Sequence, residues 1–136
     1  MISHNELTDK KFILQFENCS LNPSLFSHEA HIRLAWIYIK KYGCQKAEER
    51  VQKYLKAFVK HVGATDKYNT TLTIAAIKIV AHFIKKSDKN NFKEFILEHP
   101  QLNTNFKLLI NSHYSIDIYN SILAKEKYME PDLKTF

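Results

Sequence analysis

Two glycines and three prolines are all that this chain of 136 residues contains, and that scarcity constrains its fold more than any other feature. A many-stranded sandwich or barrel needs a turn every eight to twelve residues or so, and Gly and Pro supply many of them. Gly43 and Gly63 stand twenty residues apart, so a glycine-rich phosphate loop of the Walker or dinucleotide-binding kind is excluded. Hydrophobic residues make up 45% and charged residues 25%, which is the balance of a globular protein and not of a disordered one. The length fits one domain, residues 1–136, with enough chain to bury a core without disulfides or a structural metal.

Helical periodicity fills the space that turns leave. Thr8 and Asp9 cap a first helix through Glu17, with Phe12, Ile13 and Phe16 on one side. Asn22-Pro23-Ser24 breaks the chain. Ser27 starts a second helix that runs to Tyr42 and stops at Gly43; a third spans 44–62 and ends at Gly63. Asn69 or Thr70 caps a fourth over 70–86, a fifth covers 88–98 before Pro100, and a short one covers 103–111. Ser115, with Asp117 close behind, starts a last helix that frays before Pro131. In the third helix Ala47, Val51, Tyr54, Leu55, Phe58, Val59 and Val62 share one arc. The fourth is apolar almost all round, which suits a helix enclosed by others. The expected fold is an all-α, compact single-domain bundle of about six or seven helices, with the helix near 70–86 at its centre.

The N-terminal stretch lacks the basic start and apolar run of a signal peptide. The longest apolar segment, 72–84, is interrupted by Thr73, Lys78 and His82 and is too short to span a bilayer. Cys19 and Cys44 form no CxxC pair and no zinc-ribbon spacing, and read as reduced thiols. The expectation is a cytoplasmic protein with no membrane partner.

The formal net charge is +6. Between Lys40 and Val62, seven basic residues stand against two acidic ones, a net +5, so nearly all the excess sits on the end of the second helix and the outer side of the third. Such a stripe can follow a phosphate backbone or an acidic protein. It carries one Arg, Arg50, and its aromatics Tyr54 and Phe58 lie on the apolar side. Nucleic acid is therefore disfavoured, because its recognition usually brings Arg clusters and exposed aromatics.

The most chemically suggestive stretch is Phe26-Ser27-His28-Glu29-Ala30-His31. His28 and His31 are three residues apart, so both imidazoles project from one helix face together with Ala35, Tyr38, Ile39 and Tyr42, while Glu29, Arg33 and Lys40 take another arc. Two inward imidazoles can share a metal ion, which makes a transition metal the candidate cofactor and His28 and His31 its candidate ligands. Equally, one can act as a general base, or both can be neutral and bonded to backbone carbonyls. HExxH and paired ExxH motifs are missing, so zincin proteases and di-iron bundles are excluded. A second stretch, Tyr68-Asn69-Thr70-Thr71-Leu72-Thr73, combines capping chemistry with a Thr73 that shares a side with Ile77, Val80 and Ile84. A hydroxyl there needs a partner and is consistent with a polar pocket.

The run FSHEAHIRLAWIYI resembles the opening motif, approximately F-x-H-x-x-H-L-x-x-A-W-x-Y-L, of a family of small, uncharacterised, mostly bacterial helical proteins. The stretch 68–73 is similar to that family's later Y-H-x-T-x-T. His113-Tyr114-Ser115, Ser121, Ala124 and Pro131-Asp132-Leu133 follow its C-terminal pattern. The resemblance implies a helical domain with a shared polar site at His28, His31, Tyr68, Thr71 and Thr73. It implies no activity. Asn69 stands where the family has His, and Asn is a poor ligand for transition metals.

Two functions follow as expectations. One is a domain with a buried pocket formed by His28, His31, Tyr68, Asn69, Thr71 and Thr73 that binds a metal ion or a small polar ligand. The other is a non-enzymatic binding or regulatory protein that presents the basic face of the 44–62 helix to an acidic protein or nucleic acid. No residue pattern identifies a reaction, and no serine or cysteine sits beside a histidine in a nucleophile arrangement.

Overall fold

The computed structural model describes residues 3–136, and among these every regular element is helical. Eight α-helices follow one another: α1 Asp9–Glu17, α2 His28–Tyr42, α3 Cys44–His61, α4 Thr70–Ile84, α5 Phe92–Glu98, α6 Gln101–Thr104, α7 Phe106–His113 and α8 Ile122–Glu126. None of them is long and apolar enough to cross a membrane.

Local chemistry sets most boundaries. The Thr8 hydroxyl accepts from the Lys11 N–H at the start of α1, and Ser27 accepts from Ala30 at the start of α2. Asn69 accepts from the Leu72 N–H and is the cap of α4. Gly43 takes φ +85° between α2 and α3, a left-handed value that side chains resist.

Three expected boundaries move. α5 begins at Phe92, not near Asp88, because Asn91 accepts from the Glu94 N–H and Phe92 and Phe95 turn into the core. The expected 103–111 helix is two pieces broken at Asn105, the first following directly on Pro100, whose fixed φ favours a helix start. Ser115 does not start a helix. Its N–H and hydroxyl both bond the Asp132 carboxylate, and the cap of the last helix stands six residues later, at Ser121, which accepts from Ala124.

The helices α2, α3 and α4 pack mutually and form the centre. α4 also meets α7 and α8, as a central helix should, and α2 carries α5 and α6 on its other side. Phe16, Phe26 and Phe58 meet between α1, α2 and α3, while Trp36 lies against Phe92 and Phe95. The C-terminal segment folds back on the bundle. Leu133 donates to the His113 carbonyl, His113 Nδ1 donates to the Lys134 carbonyl, and the Tyr114 hydroxyl donates to the Met129 carbonyl.

Candidate functional site

A cavity of about 500 Å³ lies between α2, α3 and α4. Most of its wall is apolar: Ile32 and Ala35 from α2, Leu55 and Val59 from α3, and Leu72 and Ala76 from α4. Phe106 and Tyr119, from the last third of the chain, complete it. The size is that of a small-molecule site, where a few polar groups sit in an apolar wall.

Both histidines line this cavity. His28 is the first residue of α2, where its N-terminal position lets the side chain reach across to α6; its Nε2 donates to the Leu102 carbonyl at 2.9 Å. His31 sits one turn on, and its Nδ1 donates to the Ser27 carbonyl at 2.9 Å, one turn back in the same helix. The His31 ring stacks on Phe26, centroids 3.8 Å apart and planes 13° from parallel. Water reaches the ring, yet protein surrounds it. Burial pushes the His31 pKa below the usual imidazole value, the Ser27 carbonyl opposes this, and nearby His28 adds to it.

The other predicted residues separate into two groups. Tyr68, Asn69 and Thr73 line the cavity with the histidines. Burial raises the Tyr68 phenol pKa, and the Lys56 ammonium lies 5.3 Å from its ring centroid. The Thr73 hydroxyl donates to the Asn69 carbonyl at 2.7 Å, within its own helix. Thr71 is not part of the cavity wall. It is fully buried on another side of α4, where its hydroxyl donates to the Lys127 carbonyl and accepts from the Met129 N–H. Its role is to hold the C-terminal segment.

Asn69 has a structural task of its own. Its Oδ1 caps α4, and its Nδ2 donates to the Ile118 carbonyl at 2.8 Å. Among the described residues no three His, Cys, Asp or Glu side chains come together in a group that could hold a metal ion.

The sequence reading missed a second polar cluster. Arg33, placed with the wet residues of α2, is buried. Its guanidinium bonds Asp9 and the carbonyls of His4 and Leu7, and it meets His4 Nδ1 at 3.2 Å. The other His4 nitrogen bonds Glu29, whose second oxygen accepts from Asn103. This network ties the N-terminal segment to α2 and α6. On α3, Lys46, Lys53, Lys56 and Lys60 are exposed, and Arg50 lies over the Tyr42 ring at 4.2 Å. Comparison of the chain with protein-family models, with curated proteins and with solved structures finds no match.

Proposed function

We propose that this chain is a small-molecule binding domain whose ligand seats in the cavity between α2, α3 and α4. The observation that carries this reading is the cavity itself: about 500 Å³ of space inside a small bundle, with His28, His31, Tyr68 and Thr73 on its wall. The space is a cleft open to solvent on the side where His28, His31 and Lys67 are exposed, so a ligand can enter without the bundle opening. Its place beside two histidines whose rings are already held by backbone carbonyls supports a binding role. The apolar wall favours a ligand with an apolar body and a polar end. A ligand that were polar throughout would lose its hydration there without replacement. The resemblance to the F-x-H-x-x-H family and a cytoplasmic setting belong to the same proposal.

Titration with an apolar fluorescent dye tests it. One saturable site is expected, lost in Ala76→Trp, which fills the cavity, while helix content by circular dichroism is retained. A dye that finds no saturable site, or binds Ala76→Trp equally well, overturns the reading.

A second reading rests on the outer side of α3. Lys46, Lys53, Lys56 and Lys60 are exposed there and form no ion pair among the described residues. Such a face suits an acidic partner. It requires binding that weakens steeply with salt and drops in the Lys53→Glu, Lys56→Glu double variant.

A further inference from the structure

The polar groups on the cavity wall differ in what they have left to offer, and this selects the ligand's polar end. Asn69 is fully used: its amide donates to Ile118 and its carbonyl oxygen accepts from Leu72. The Thr73 proton goes to the Asn69 carbonyl. His31 is different. A carbonyl oxygen only accepts, so the 2.9 Å contact with Ser27 places the ring proton on Nδ1. In the neutral ring Nε2 is then a bare lone pair, and it has no protein partner among the described residues. The stack on Phe26 holds the ring in that orientation. His28 is fixed in the opposite tautomer by Leu102, which leaves its Nδ1 as the acceptor.

Charge on the wall narrows the choice again. No Asp or Glu lines the cavity, so a cationic ligand meets no counter-charge. The one side chain there with a permanent charge is Lys67, which is exposed. An anion against the apolar wall loses its hydration, and the exposed Lys67, screened by water, returns little of that cost. A neutral hydrogen-bond donor meets neither penalty.

We infer that the cavity takes a neutral, hydroxyl-bearing apolar molecule, an alcohol or phenol whose O–H donates to His31 Nε2. This rests on the binding reading above and names the chemistry of its ligand.

Calorimetric titration of the full chain with octanol, octyl methyl ether, octanoate and octylamine tests it, with the imidazole nitrogen resonances followed by NMR. Octanol is expected to bind at least ~10-fold more tightly than its methyl ether, which has the same apolar body and no proton to donate. The His31 Nε2 resonance should move with octanol and not with the ether. His31→Phe should erase the difference, and His31→Gln, which restores an acceptor oxygen, should recover part of it. Should His31→Phe fail to fold, the alcohol-to-ether ratio and the nitrogen shift in the unaltered chain decide the matter. Equal binding of alcohol and ether, or tighter binding of octanoate or octylamine, overturns the hydroxyl assignment and leaves the cavity as a binding site. No binding by any of the four, with no change in the dye experiment on Ala76→Trp, overturns both.

Discussion

The Arg33 guanidinium and the His4 imidazole meet at 3.2 Å, Nη1 to Nδ1, in a buried position beneath the N-terminal segment. Arginine can only donate, so His4 Nδ1 must accept, and its proton sits on Nε2, which donates to Glu29 at 3.0 Å. The folded arrangement therefore requires neutral His4. Burial is the main cause of its lowered pKa; Arg33 works in the same direction, and the hydrogen bond to Glu29 opposes it.

A pH dependence of stability follows, with its sign fixed by linkage. A histidine whose pKa is lowered by folding binds fewer protons folded than unfolded between its two pKa values, so stability rises with pH across that window. The contribution is complete above the unfolded value of about 6.5 and is lost progressively as pH falls below it. His31, lowered for the same reason, acts in the same sense. Urea unfolding at pH about 7.5 and about 5.5 checks this. The unaltered chain should lose more stability on acidification than His4→Gln does. Equal losses would show that His4 is not the group responsible. Arg33→Met should cost about 2–4 kcal/mol at both pH values, since it strips the buried carbonyls of His4 and Leu7 of their donor.

Cys19 occupies a position that chemistry reserves for glycine. The Ser20 N–H donates to Gln15 and the Cys19 N–H to Phe16, the paired bonds that close a helix with a left-handed residue between them, and Cys19 takes φ +63°. The same pair of bonds closes α3, with Ala64 donating to Val59 and Gly63 to Lys60, but there the left-handed residue is a glycine at φ +75°. Cys19→Gly relieves the strain and gives up the contact of a half-buried side chain. The net expectation is a gain of about 0.5–1 kcal/mol, read as a higher midpoint in thermal unfolding. Gly63→Ala should lose about 1 kcal/mol.

Thr71 and Thr73 are two residues apart and should respond differently to the same change. Thr71→Val removes a hydroxyl that both donates to Lys127 and accepts from Met129 in a fully buried place. It should cost about 2–3 kcal/mol and speed amide exchange in residues 127–134. Thr73→Val loses a bond to the Asn69 carbonyl at the start of its own helix and a contact with the Tyr68 phenol, and should cost about 1 kcal/mol, with exchange at the C-terminal segment unchanged.

That contrast shows what a sequence can reveal. Ser27, Gly43 and the Asn69 side-chain oxygen act on atoms within four residues of themselves, so the limits of α2 and the start of α4 are legible from neighbours alone, while the Asn69 amide contact with Ile118 is not. Arg33 is illegible for the opposite reason. Its partners lie 24 to 29 residues earlier, and a helical wheel places any arginine outward unless something distant meets it. Ser115 reads as a helix cap because Asp132, which occupies it, comes 17 residues later. The same limit holds at the cavity. Tyr68 and Thr73 are readable as polar residues on apolar faces. His28 and His31, expected to point inward, instead line the cavity from its exposed edge, because both stand in the first turn of α2 where the wall opens. Leu55 and Val59 are not readable as cavity wall, because periodicity marks the buried side of α3 without saying whether a side chain or empty space faces it.

The seven tyrosines of the chain should not titrate together. Tyr38 is almost completely buried, its hydroxyl donates to Glu17, and burial and that carboxylate both push its pKa far above the usual phenol value. Tyr114 is held up in the same way by burial and by its neighbour Tyr128. Ionising either while the chain is folded places a second negative charge beside Glu17, or strips the Met129 carbonyl of its donor. In an alkaline absorbance titration both should stay protonated through pH about 11, where an ordinary phenol is mostly ionised, and then titrate with unfolding in one cooperative step. Tyr38→Phe should remove one phenol from that step and leave the early phase unaltered. It should also lower stability by about 1–2 kcal/mol, since Glu17 loses a hydrogen bond at a half-buried site. An early phase that shrinks in Tyr38→Phe would mean the phenol is open to solvent and the contact with Glu17 is not made.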